Sequence, residues 1–263
     1  MKLLGPFSIT WRFIRVWERN LSVYKKIWIV NFMTPLLEPL FYLLAFSIGL
    51  GALIEKVPFE GADLSYVVYI TPALLAVAIM YNAFFENTYS SFVRMYYQKT
   101  FDAIMATPLS LEEVITGEIA WGATKSVIAA AIVLGVVSAF GLVRYPHALL
   151  ILPLAFLGGI AFGSIAMFFT GIVPSIDMFN LPVFLFVTPM FLFSGTFFPL
   201  DGLPQWAQTF AATLPLTHLV DLTRHLCLGT LRAGMLWNVA YLLVFCLIFF
   251  PLALVAMRRR LVQ

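Results

Sequence analysis

Apolar residues in this chain fall into long runs, not into the strict alternation of a half-buried strand. A spanning helix needs about 20 predominantly apolar residues. Runs that meet or approach this length lie near 28–50, 66–85, 120–142, 149–173, 181–198 and 236–257. Ser110 and Glu113 form an S-x-x-E capping pattern ahead of the third run, so that helix is expected over 111–142. The stretch 203–230 is apolar too, but Pro204, Gln205, His218, Asp221, Arg224 and His225 interrupt it. Polar groups facing hydrocarbon need partners, so 199–230 reads as an outer re-entrant or surface hairpin held against protein. The pattern predicts an all-α membrane protein: one domain over 1–263, six transmembrane helices and an outer helical hairpin before the last span.

Composition supports lipid as the solvent. Charged residues are 11% and apolar residues 62% of the chain, with a mean hydropathy of +0.95, where a soluble domain carries about 25% charged residues. The net charge of +3 does not mark a nucleic-acid partner, because nine of the sixteen Lys and Arg lie at the two chain ends. Lys2, Arg12, Arg15, Arg19, Lys25 and Lys26 precede the first run, and Arg258, Arg259 and Arg260 follow the last. Basic residues beside spans stay cytoplasmic, and an even number of spans puts both termini on that side. The loop with Glu55, Lys56, Glu60 and Asp63 is net acidic and falls outside; Arg94 and Lys99 fall inside. No cleavage-type signal precedes the first span, which is expected to be retained.

Two cytoplasmic segments have helical faces. At about 100° per residue, Ser8, Arg12, Arg15, Arg19, Ser22 and Lys26 share one face of 7–26, and Phe13, Ile14, Trp17, Leu21 and Tyr24 the other. Such a helix lies in the inner membrane interface. Within 95–107, Phe101, Ile104 and Met105 follow i, i+3, i+4 spacing, and Pro108 should end the helix. On spacing alone this segment is either a connector or a handle for a soluble partner.

Motifs for chemistry in this chain are weak. Gly117-Glu-Ile-Ala-Trp-Gly122-Ala-Thr-Lys125-Ser126 has the glycine interval of a P-loop, but the lysine comes two residues late and the segment is helical. No nucleotide site is therefore assigned, and ATP hydrolysis must belong to another chain. His218, Asp221 and His225 fall at i, i+3, i+7, yet no zinc signature matches, and the polar face of a hairpin explains them better. No metal or cofactor is expected in this chain. Cys227 and Cys246 form neither a metal spacing nor a disulfide framework. Ionisable residues within or beside spans are functional candidates. Glu38 lies between Pro35 and Pro39, Glu86 lies near the inner end of the second span, and Glu118 and Lys125 share a face of the third helix. Each is a candidate gate, ion pair or substrate contact; for Glu86, Glu118 and Lys125 the alternative is an interfacial side chain reaching the headgroups. The aromatics Tyr42, Tyr66, Tyr69 and Tyr81 are candidates for lining a substrate route by stacking and hydrogen bonding.

The whole arrangement resembles the permease subunit of a type-2 ABC exporter. The resemblance is carried by the basic amphipathic start, the segment ending Ala106-Thr-Pro-Leu-Ser110, and Phe193-Ser-Gly-Thr-Phe-Phe-Pro-Leu-Asp-Gly-Leu-Pro204 followed by Leu214-Pro-Leu-Thr-His218. Glu38-Pro39, Phe85-Glu86-Asn-Thr and Gly117-Glu-Ile-Ala-Trp121 resemble the nodulation-factor, or lipo-oligosaccharide, exporter branch. This implies a homodimer with two copies of a separate ABC ATPase, which would hold ATP and Mg, in a bacterial cytoplasmic membrane. It implies that 95–107 is a coupling helix acting through Phe101, Asp102, Ile104 and Met105. The interfacial helix, with Arg12, Arg15, Trp17 and Arg19, would add a second contact. Glu38, Tyr42, Glu86, His218 and Asp221 become candidates for the gate or substrate path, with 199–230 near the outer gate. The implied cargo is lipid-linked, glycan-bearing or otherwise amphipathic and moves outward. The competing classes are a secondary transporter or channel using Glu38, and a membrane enzyme using His218, Asp221 and His225.

Overall fold

A computed structural model describes residues 9–46, 49, 51, 54 and 56–262; Lys2, Ser8 and Glu55 lie outside that set. The order is α1 (Phe13–Lys26), α2 (Trp28–Ala45), a β-hairpin of β1 (Val57–Phe59) and β2 (Ala62–Leu64), then α3 (Tyr66–Phe85). A short α4 (Thr100–Met105) precedes α5 (Leu111–Ala139) and α6 (Ile151–Ile172). The span Ile176–Phe193, here α7, leads to α8 (Gln205–Ala212), α9 (Pro215–Leu228) and α10 (Met235–Leu261). Among the described residues, six helices are long and apolar enough to cross a membrane, and they fall on the six runs read from the sequence.

Several boundaries differ from expectation; the fifth span runs Ile176–Phe193 rather than 181–198, and the third helix ends at Ala139 rather than 142. The first helix begins at Phe13, with Trp11 and Arg12 in the turn ahead of it, rather than at 7. The second spanning helix continues beyond 85 through π-type turns at Glu86–Ser90 and Val93–Tyr97, so 95–97 belong to it and not to a separate coupling helix. Its 32 residues reach about 48 Å at 1.5 Å per residue, well beyond the bilayer core. Lys99, with φ 53, then breaks the helix and leaves α4 only six residues long. The acidic outer loop holds a small antiparallel hairpin that pairs Val57 with Leu64 and turns at Glu60-Gly61, both at positive φ.

The predicted capping box is formed: the Glu113 backbone N–H donates to Ser110 Oγ at 3.2 Å, and the Ser110 N–H donates to Glu113 Oε2 at 2.9 Å. The segment 203–230 is a pair of helices. α9 starts on Pro215, where the missing N–H costs nothing, and ends on left-handed Gly229 at φ +72. Its inner face is buried on α3 and α10. Packing divides into two cores. The larger joins α3, α5, α6 and α9; the smaller, at the α4 end, collects Val16, Phe92, Phe101, Ile115, Phe179 and Met257. Elements 13–26 and 100–105 are thus rooted in one apolar cluster. α2 stays largely uncovered, with Val30 68% and Phe41 64% exposed, a surface only lipid or another apolar chain can cover.

Candidate functional site

Two constellations of polar residues stand at opposite ends of α3. At the α4 end, the π-type turns bring Glu86, Ser91 and Arg94 onto the face that meets α5. Arg94 bridges two carboxylates: Nη1 lies 2.8 Å from Glu86 Oε1, and Nε donates to Glu118 Oε2 at 2.8 Å. Lys125 Nζ reaches Glu86 Oε2 at 2.9 Å. Glu118 is fully buried and also accepts from Ser91 Oγ at 2.7 Å and from Asn20 Nδ2 at 2.8 Å. One carboxylate therefore ties α1, α3 and α5 together. Glu86 and Lys125 thus form an ion pair at a helix interface, and Glu118 shares Arg94 with Glu86. In the sequence Arg94 reads only as a topological charge, because its partner Glu118 is 24 residues away.

The glycines of the false P-loop have a packing role. A Cβ on Gly117 would sit 2.6 Å from Val16 Cβ, and one on Gly122 would sit 2.0 Å from Asn87 Nδ2. Both positions let a neighbouring helix approach the α5 backbone. α1 is fastened there by Trp17 Nε1 donating to Thr124 Oγ1 at 2.8 Å, and by Trp17 and Tyr24 packing edge-on to Trp121. Arg12 Nη1 donates to the Pro108 carbonyl at 3.0 Å, and Thr10 bonds Glu113, so the entry to α5 is held too. Arg19 is half-buried and donates to Asn20 Oδ1 at 2.9 Å. Burial lowers its guanidinium pKa, with Glu118 opposing the shift. Arg15 stays exposed and pairs with Glu18 at 2.9 Å.

Phe101 points inward from α4. Its side chain is 0% exposed, packed in the smaller core, so it anchors α4 and is not offered to a partner. Removing such a ring from water supplies about 1.5–3 kcal/mol, which explains the orientation. Asp102 is exposed and lies 3.9 Å from Lys99, while Ile104 and Met105 are half-buried. Between α1 and α4 runs a groove of about 460 Å³ with Arg15, Arg19, Gln98, Ala103 and Ile104 on its walls. The two basic residues give it a positive rim.

At the other end, His218 and Asp221 share a cavity of about 470 Å³, but His218 and His225 do not converge. His218 Nδ1 lies 2.8 Å from Asn238 Oδ1, its Nε2 lies 3.0 Å from the Ala212 carbonyl, and its ring stacks on Tyr241. Asp221 accepts from Asn238 Nδ2 at 2.6 Å and pairs with Arg232 at 3.1 Å. His225 Nε2 lies 3.4 Å from Asp221 and 3.6 Å from Glu60. Burial alone would raise the Asp221 pKa; the hydrogen bond and charge of His225, with Arg232, outweigh it and hold the carboxyl below its ordinary value. Arg232 also pairs with Glu60, clasping the β-hairpin to α9.

Arg224, noted in the sequence only as an interruption, is buried here. Its Nη2 donates to the Gly195 carbonyl at 2.9 Å, and its guanidinium lies 4.0 Å from the Tyr69 ring centre. Tyr69 Oη donates to the same carbonyl at 3.1 Å. Tyr66 is buried beside Phe46; Tyr42 stacks on Phe46, and Tyr81 on Phe85. Glu38 stands apart from both constellations, exposed on α2.

Comparison with known proteins matches residues 12–228 to the family described as ABC-2 type transporter. Nodulation protein J of Rhizobium leguminosarum bv. trifolii is 36% identical over 97% of this chain and 95% of its own length. Nodulation protein J of Sinorhizobium fredii is 33% identical over 96% and 95%. The inner membrane transport permease YadH of Escherichia coli K12 is 22% identical over 89% and 90%.

Proposed function

Because the chain belongs to the ABC-2 type transporter family, we propose that it is the permease subunit of an ATP-driven exporter whose ATPase docks on the α1–α4 groove. The observation that carries this reading is the common root of α1 and α4. Val16 and Phe101 sit in one core, and Asn20 is bonded to the buried ion network. A push on the exposed edge of α4 is then transmitted to α3 and α5 as a rigid displacement, since close-packed interiors yield little. The groove's positive rim suits an acidic edge on the ATPase.

In this reading two permease copies meet two ATPase copies, and ATP with Mg is held entirely by the latter. The exposed α2, carrying Glu38 and Tyr42, faces the second copy and the substrate path. The termini lie in the cytoplasm, where exposed basic residues such as Lys25, Lys26 and Arg259 meet anionic headgroups of the bacterial inner membrane. The resemblance to the lipo-oligosaccharide branch favours an amphipathic, glycan-bearing cargo moved outward. Site-directed cross-linking tests the docking. With a cysteine at Asp102 or Met105, the coexpressed ATPase should be captured in a nucleotide-dependent manner, and a cysteine at Trp206 should not capture it. Equal capture from both ends would overturn the assignment.

A further inference from the structure

The cavity at the end remote from α4 holds hydrogen-bonding capacity that the protein itself leaves unused. Ser194, 1% exposed, lines it, and its Oγ has no partner among the described residues. Arg224, 4% exposed, also lines it; its described acceptors are the Tyr69 and Gly195 carbonyls, and among the described residues no carboxylate stands within ion-pair distance of it. Buried polar groups are ordinarily satisfied, so each open valence marks a place for a ligand or bound water. On the acceptor side Asp201 stands at the rim, with no described side-chain bond. The other two acids are already engaged: Asp221 by Asn238, His225 and Arg232, and Glu60 by Arg232.

We propose that this cavity binds a neutral, hydroxyl-rich group, a sugar unit, through Arg224, Ser194 and Asp201. Hydroxyls both donate and accept, which matches the mixture of open donors and acceptors. Three carboxylates against two guanidinium groups leave nothing that would select a strong anion, and Arg224, which has no described ion-pair partner, disfavours a cation. A volume of about 470 Å³ is in the range of small-molecule sites. The inference rests on the exporter reading only in making the cavity an exit-side station for a glycan-bearing cargo; binding itself is measured on the permease alone.

The test uses the full-length permease in nanodiscs free of glycosidic detergent. Saturation-transfer NMR is recorded with maltose, cellobiose and lactose as neutral probes, glucuronate as the anionic one and glucosamine as the cationic one. At least one neutral disaccharide should bind saturably. Ser194→Ala and Asp201→Asn should each weaken it by about fivefold or more, the loss of one hydrogen bond, with thermal unfolding within about 2 °C of the parent. Absence of saturable binding by all three disaccharides, preference for glucuronate or glucosamine, or unchanged affinity in both variants would overturn the proposal. Because no ATPase is present, none of these results bears on whether export is ATP-driven.

Discussion

Replacing Arg94 with methionine separates a buried, paired charge from an incidental one. In the parent, Arg94 contacts Glu86 at 2.8 Å and Glu118 at 2.8 Å, and Glu86 has a second cation in Lys125 at 2.9 Å. Glu118 has none. Without Arg94 its described hydrogen-bond donors are the neutral Ser91 and Asn20, at 2.7 and 2.8 Å, while it remains fully buried. Breaking a buried pair by removing one partner costs about 3–5 kcal/mol. At about 2–4 °C per kcal/mol for a chain of this order of length, the apparent unfolding temperature should fall by roughly 6–20 °C. Tryptophan fluorescence is the natural assay, because Trp17 and Trp121 form part of the α1–α5 contact that Asn20 and Glu118 secure. The double variant Arg94→Met, Glu118→Met should recover most of the loss, since an apolar replacement of a whole buried pair is near neutral. A single-variant loss below about 2 °C, or a double variant no better than the single, would refute this account of the network.

Three further outcomes follow from the geometry. Phe101→Ala should lower stability by about 3–5 kcal/mol, whereas Met105→Ala should leave unfolding nearly unchanged and weaken ATPase co-purification. The reverse ranking would contradict the anchor assignment. Gly117→Val should force α1 off α5, because even a Cβ there meets Val16 and the Phe13 carbonyl at 2.6 and 2.8 Å; hydrogen exchange over 13–26 should accelerate, and unchanged protection would count against the contact. Asp221, with its folded pKa lowered, contributes stability that is fully present above the ordinary carboxylate value near about 3.9 and is lost as pH falls through the lowered value. Asp221→Asn should therefore flatten the acid limb of a thermal-stability profile, and an unchanged limb would remove Asp221 as its source.

The spans were legible because bilayer thickness imposes run length directly on the sequence. Ser110 and Glu113 were legible because a capping box is local. The extension of α3 through Glu86 and Arg94 was not, since those polar residues look like the end of a span until Glu118 and Lys125 arrive from α5. Likewise Phe101, Ile104 and Met105 announced an apolar stripe, but spacing does not say whether a stripe faces a partner or the chain's own core. The β-hairpin escaped notice because its strands are three residues each and its turn begins with Glu60, an uncommon residue at positive φ. Arg224 escaped because a buried cation held by carbonyls and aromatic rings has no sequence motif.

The central claim is that an ATPase on the α1–α4 side drives export through this chain. Its most direct test is co-reconstitution of the permease and the ATPase in liposomes carrying a fluorescent glycolipid, with leaflet movement followed by dithionite quenching. The account predicts movement that requires both proteins and ATP, and that stops with a hydrolysis-deficient ATPase. Movement by the permease alone, driven by a proton or sodium gradient and abolished by Glu38→Gln, would contradict it.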